Sequence, residues 1–115
     1  MIYENEAVQD YEIEYFNKVG EWAKDRNLIE GSTVQAQFVK LIEEIGELAE
    51  AIAKGKQEQF EDSIGDAFVV LTILAAQKGV EIEACVSGAW EEIKDRKGKL
   101  IDGVWVKEED LHNVY

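Results

Sequence analysis

Residues 40–66 read KLIEEIGELAEAIAKGKQEQFEDSIGD, and the spacing of the acids in this stretch decides the fold. Glu43, Glu44 and Glu47 stand at i, i+1 and i+4, so on a helix Glu47 is a one-turn neighbour of both earlier glutamates. Asp62 and Asp66 are one turn apart in the second segment. Like charges at these spacings cost a helix about 0.2–0.5 kcal/mol per pair, and burial adds to the cost because desolvation disfavours a charged carboxylate. A cation between the segments relieves the repulsion. Hard divalent cations take oxygen ligands, and Mg²⁺ is held by a few carboxylates, waters and substrate phosphates. Two helices presenting carboxylates inward make a common frame for such a site. Gly46 and Gly65, each directly before the last acid of its segment, cost about 1 kcal/mol apiece inside a helix. Close approach of a second helix or a ligand is the expected compensation.

Outward from this stretch the pattern is helical. Val8, Tyr11, Tyr15 or Phe16, Val19, Trp22 and Ala23 recur every three to four residues, predicting a first helix over 6–27. Ser32 or Thr33 can cap a second helix that runs to Lys54 on a stripe of Val34, Phe38, Leu41, Ile42, Ile45, Leu48, Ala49 and Ile52. Lys54-Gly55 ends it, as a cation followed by glycine ends many helices. A third helix from Gln57 becomes almost wholly apolar from Ala67 to Ala76, which predicts burial on all sides, with a second copy of the chain covering one face. Gly79 stops it, and a fourth helix is expected over 82–97, closed by Gly98. Leu100 to Val106, with Asp102-Gly103 at the centre, reads as a short β-hairpin. The fold class is therefore all-α, a four- to five-helix bundle with a short C-terminal hairpin. No proline, linker or low-complexity run divides residues 1–115, so one domain is expected.

Composition narrows the chemistry. A net charge of −13 repels a nucleic-acid backbone, but a small polyphosphate remains compatible because a bound cation reverses the local field. No apolar run spans a bilayer and the N-terminal residues lack a basic and then apolar leader pattern, so the expectation is a cytoplasmic protein with no membrane partner. Cys85 is the single cysteine, read as a small buried hydrophobe, and His112 is the single histidine. Carboxylates and metal must then carry any catalysis.

The run KLIEEIGELAEAI, a short turn and DSIGDAFVVL resemble the MazG-like branch of the all-α nucleoside triphosphate pyrophosphohydrolases, whose pattern is E-E-x-x-E followed by E-x-x-D. The likeness extends to Trp22, to Gln37-x-x-Lys40 and to Glu92-Ile93-Lys94-Asp95-Arg96-Lys97-Gly98, covering roughly residues 15–107. It implies cleavage between the α- and β-phosphates of a nucleoside triphosphate to a monophosphate and pyrophosphate, as in clearing a nucleotide pool. It also implies Mg²⁺, with Mn²⁺ able to substitute, while the apolar third helix points to a homodimer or a dimer of dimers. Glu44, Glu47 and Asp66 take metal-ligand positions, and Glu43 is the remaining glutamate of the first motif. The glutamate of the second motif falls on Ser63, a departure that leaves the number of metal ions open. Asp62, one residue earlier, can stand in directly or through water.

Either Glu43 or Asp62 can orient or deprotonate the attacking water. Lys94, Arg96 and Lys97 either favour a helix C-terminus or contact the triphosphate. Lys40 is an ion-pair partner of Glu44 or a phosphate ligand. Trp22 reads more readily as core than as a base-stacking platform, and Gln37 can read a base edge. The alternative is a non-catalytic acidic helical module that binds a partner on the same fold. A third is a phosphate-ester hydrolase that releases orthophosphate.

Overall fold

The computed structural model describes the backbone of residues 2–113 and the side chains of 14–111. Four helices, α1 (Ile2–Asp25), α2 (Val34–Lys54), α3 (Gln57–Gln77) and α4 (Ile82–Ile93), precede strands β1 (Gly98–Ile101) and β2 (Val104–Lys107) and a final 3₁₀ segment, Glu108–Asn113. The chain divides into two compact units, residues 1–83 and 84–115. The expected contributions of Val8 and Tyr11 to α1 lie outside the described side chains.

Local chemistry sets the helix ends. At the start of α2 the Thr33 hydroxyl accepts from the Ala36 N–H at 3.0 Å, with Thr33 itself extended at φ −98° and ψ 156°. At its end Gly55 adopts φ 64°, and the Lys56 N–H donates to the Ala51 carbonyl at 2.9 Å. This left-handed turn reverses the chain within two residues. It lays α3 along α2, the most extensive helix pairing in the molecule, with α1 packed on α3. Gln59 Nε2 ties the hairpin by donating to the Glu47 carbonyl at 3.0 Å. Phe16 of α1 meets Phe68 of α3 with ring centroids 5.3 Å apart.

The apolar core among the described residues is thin: Ala23, Ala51, Val70 and Ile73. The α2 stripe divides in a way that its sequence does not show. Leu41 and Leu48 turn partly inward beside buried Glu44 and Ala51, while Val34, Phe38, Ile42, Ile45 and Ile52 face outward. Conversely α3 is covered more fully within one chain than expected, although Leu71 remains 42% exposed. Gly46 and Gly65 do not mark a close approach inside the chain, because a Cβ at either would meet nothing within 4 Å.

In the C-terminal unit α4 ends at Ile93, four residues before the expected Lys97. The chain is committed to a strand by Gly98, where a Cβ would collide with the Val106 carbonyl and the Trp105 ring. Pairing is antiparallel from Gly98↔Lys107 to Ile101↔Val104, and Asp102 and Gly103 turn it with φ 51° and 81°. Two positive φ values in sequence suit the right-handed twist of a two-residue hairpin. Cys85 is exposed on α4, contrary to its reading as a buried hydrophobe, because no α4 residue is buried.

Candidate active site

Five acidic positions from the two motifs lie along the paired helices of the α2–α3 hairpin, away from its turn, and burial separates them sharply. Glu44 is 4% exposed whereas Glu43, Glu47, Asp62 and Asp66 are exposed. Lys40 serves both of its neighbours, with Nζ 3.5 Å from Glu43 Oε2 and 3.6 Å from Glu44 Oε1. The Lys40 pKa is raised, first by the charge of Glu43. Glu44 Oε2 is left without a hydrogen-bond partner. Burial pushes the Glu44 carboxyl upward in pKa, and the charges of Glu47 and Asp66 push it further the same way, against the opposing pull of Lys40.

A cleft of about 620 Å³ is lined by Glu47, Asp62 and Asp66 together with Lys56, Gln59 and Ser63, and Glu44 is not among its lining residues. Ser63 is 1% exposed, and its hydroxyl also lacks a partner. Among the described residues no three acidic side chains are drawn together closely enough to hold an ion as they stand. The donor set nevertheless suits a hard divalent cation: the acidic ligands are all oxygen, and Glu44 Oε2 and Ser63 Oγ are buried polar atoms lacking partners. Glu44, Glu47, Asp62 and Asp66 are the residues that would hold it.

Asp66 belongs to a second hollow as well. A mostly apolar pocket of about 390 Å³ is lined by Tyr15, Lys18, Val19, Trp22, Asp66 and Val69. Trp22 is 43% exposed, so it is a pocket wall and not the core residue its pattern suggested. The Arg26 guanidinium lies 4.7 Å from the Trp22 ring centroid. Sequence reasoning overlooked Arg26 and Lys56. The four-residue Trp22–Arg26 spacing was the available signal for the first, and nothing local marked the second.

The remaining candidates are not all in this place. Gln37 Nε2 donates to Ser32 Oγ at 2.9 Å, which occupies its amide within the chain. Lys94, Arg96 and Lys97 belong to the C-terminal unit. There Lys94 pairs with Glu91 at 2.6 Å, and Arg96 and Lys97 line a separate cleft of about 450 Å³ with Lys107, Glu92, Asp95, Glu108 and Glu109.

Comparison with known proteins bears on the same residues. The profile of the MazG nucleotide pyrophosphohydrolase domain matches residues 32–101, a span that includes the whole α2–α3 hairpin. An uncharacterised 18.2 kDa protein from the rep-hol intergenic region of Haemophilus phage HP1 (strain HP1c1) is 54% identical over 63 residues. The aligned stretch covers 55% of this chain and 39% of the phage protein, so the chain spans well under half of that relative. No solved structure shows significant similarity.

Proposed function

The chain belongs to the MazG nucleotide pyrophosphohydrolase family, and from that premise we propose that it hydrolyses a nucleoside triphosphate, ribo or deoxy, at the α–β bond. The products are a nucleoside monophosphate and pyrophosphate, and the role is clearance of a nucleotide pool. The observation that carries this reading is the double membership of Asp66. One residue borders both an acidic cleft suited to a metal–polyphosphate and an aromatic pocket suited to a base.

Glu44, Glu47 and Asp66, with Asp62 beside them, bind the cation, Mg²⁺ in the cell and Mn²⁺ as its substitute. When bound, the metal supplies neutralisation of phosphate charge and an activated water. Asp62 is better placed than Glu43 to take the proton of that water. It lines the cleft with Glu47 and Asp66, whereas Glu43 is engaged outside it by Lys40. Trp22 offers a face for the base, and Arg26 stacked over the ring holds that face in position. Lys40 contacts phosphate once cation binding relieves its two glutamates. Arg96 and Lys97, which make no ion pair among the described residues, are candidate phosphate ligands, and Lys94 is a weaker one because of Glu91.

The uncovered α2 face supports self-association. Val34, Phe38, Ile42, Ile45 and Ile52 recur on one side, and two copies of one such face bury each other through a twofold axis. A homodimer or dimer of dimers follows. Phe38→Glu is expected to shift the mass measured by light scattering to that of a monomer, and an unchanged oligomer would move the interface elsewhere. No helix among the described residues is long and apolar enough to cross a membrane, and a cytoplasmic location is proposed with the substrate.

The direct test is a panel of ribo- and deoxynucleoside triphosphates, standard and modified, incubated with Mg²⁺ and resolved by chromatography. Monophosphate with pyrophosphate is the expected result. Ser63 in the second motif gives the rival reading, a non-catalytic partner-binding module, its specific support. No turnover, together with no Mg²⁺-dependent rise in melting temperature, would decide for that rival. Release of orthophosphate would instead make the protein a phosphate-ester hydrolase.

A further inference from the structure

Two hydroxyls are buried on α3, and only one of them is satisfied. Thr72 is 6% exposed, and its Oγ1 donates to the Phe68 carbonyl one turn back at 2.9 Å. Ser63 is buried more deeply, at 1% exposed, yet its Oγ makes no hydrogen bond at all. Serine and threonine both form this back-bond readily inside helices, so helix geometry alone does not leave a hydroxyl idle. A buried polar atom without a partner destabilises the fold, and ordered water or an ion is the usual reason for its survival.

The position of Ser63 identifies which. It lines the acidic cleft with Glu47, Asp62 and Asp66, whose ionised carboxylates can only accept hydrogen bonds. A neutral hydroxyl among them lends no charge to a cation. It can instead accept a hydrogen bond from a water that the cation carries. Mg²⁺ gives up its waters reluctantly and keeps several when bound, whereas the larger Ca²⁺ takes more direct oxygen ligands in flexible geometry.

We propose that Ser63 is a positioning residue of the cation site, its Oγ accepting a hydrogen bond from the hydration shell of the bound ion and thereby favouring Mg²⁺ over Ca²⁺. The proposal rests on the reading of this cleft as the metal site. It gives the unpaired hydroxyl oxygen a donor to accept from when the cleft is loaded.

Calorimetric titration of Mg²⁺ alone and of Ca²⁺ alone into the wild type, Ser63→Ala and Ser63→Cys tests it without any turnover. Losing a hydrogen bond to the outer shell of a metal site weakens affinity roughly tenfold or more. Both variants are therefore expected to raise the Mg²⁺ dissociation constant about tenfold and the Ca²⁺ constant by much less. In the metal-free protein Ser63→Ala is expected to melt at the same or a higher temperature, since it removes an unpaired polar atom. Unchanged Mg²⁺ affinity in Ser63→Ala, with the wild type binding normally, overturns the role of Ser63 and leaves the metal site standing. An equal loss for both ions also overturns it, because selectivity is then absent. If the wild type binds neither ion, the site reading fails and the proposal fails with it.

Discussion

Glu44 in α2 and Glu91 in α4 are both helical glutamates with a lysine about one turn away, and they end in opposite states. Lys94 Nζ lies 2.6 Å from Glu91 Oε2 on an open surface, where both side chains stay largely hydrated. Lys40 Nζ stops 3.6 Å from Glu44 Oε1, shared with Glu43, and Glu44 Oε2 has no partner inside the fold. Exposed ion pairs contribute little in water, whereas a buried carboxylate lacking a partner is destabilising until something cationic arrives. Equal charge therefore has different chemical meaning in the two regions. The C-terminal unit uses its acids as surface, and the hairpin holds one in reserve.

The most severe way to break this contrast is Glu44→Gln. If Glu44 is the anchoring ligand, Mg²⁺-dependent turnover falls roughly 10³-fold, equivalent to about 4 kcal/mol of transition-state stabilisation. Glu91→Gln leaves turnover at the wild-type level. The metal-free protein should also report the difference through pH. The Glu44 pKa is raised above its ordinary 4.5 in the folded state, so between the unfolded and folded values the native chain binds more protons than the unfolded one. Stability from this group is present below 4.5 and is lost as pH rises through the folded value. Melting curves of the metal-free wild type should decline over that window, and those of Glu44→Gln should decline less. Parallel curves would place the reserve charge elsewhere.

A second contrast sets Trp22 against Trp90, which are 43% and 57% exposed. Trp22 lines a pocket that reaches Asp66, and Trp90 belongs to α4 in the C-terminal unit and is not among that pocket's lining residues. Stacking a base on an aromatic ring is worth about 1–3 kcal/mol. Trp22→Ala is thus expected to raise KM roughly tenfold or more with kcat nearly intact, while Trp90→Ala changes KM little. Steady-state kinetics on whichever triphosphate is turned over fastest makes the comparison, and equal effects would remove the base from the pocket.

What the sequence made legible follows the same division. Periodicity and capping identify all four helices and the Asp102-Gly103 turn, because Thr33 acts through a hydroxyl on a neighbouring N–H and Gly55 and Gly103 through their own backbones. The two acidic motifs were equally plain, since one-turn spacing puts Glu43, Glu44 and Glu47 together whatever the tertiary fold. Which acid is buried was not. Glu44 and Glu47 take equivalent ligand positions in the motif, yet Glu44 alone of the five acids is enclosed. That outcome depends on how α2 rotates against α3, and α2 carries apolar residues over so wide an arc that its pattern permits several rotations. Cys85 and Trp22 were misjudged for a related reason: an apolar neighbourhood in sequence does not say which face finds a partner.

A smaller effect tests how the hairpin is set. Gly55 holds φ 64° at the bend that brings the second motif beside the first. A Cβ in the left-handed region costs about 1–2 kcal/mol, although space for one is open at this position. Gly55→Ala is therefore expected to lower the melting temperature by several degrees through backbone strain alone. Asn, which tolerates the left-handed region better, should lose less. An alanine variant as stable as wild type would show that the bend relaxes to another geometry, and the alignment of the two motifs would need a different explanation.

The smallest effect is expected at Lys94, and its smallness is informative. The Lys94–Glu91 pair is close at 2.6 Å, but side-chain exposures of 39% and 61% leave it screened by water. Exposed pairs three or four residues apart on a helix contribute about 0.3–0.5 kcal/mol. Lys94→Met should cost no more than that, and the cost should vanish in concentrated salt as screening removes the attraction. A phosphate contact would behave otherwise. If Lys94 leaves Glu91 to bind triphosphate, Lys94→Met raises KM while Glu91→Gln lowers it, because the glutamate competes with the substrate for the same ammonium. Opposite shifts in the two variants would make Lys94 a phosphate ligand and not merely a surface cation. No change in either leaves Arg96 and Lys97, whose side chains pair with no acid among the described residues, as the remaining candidates of that basic cluster.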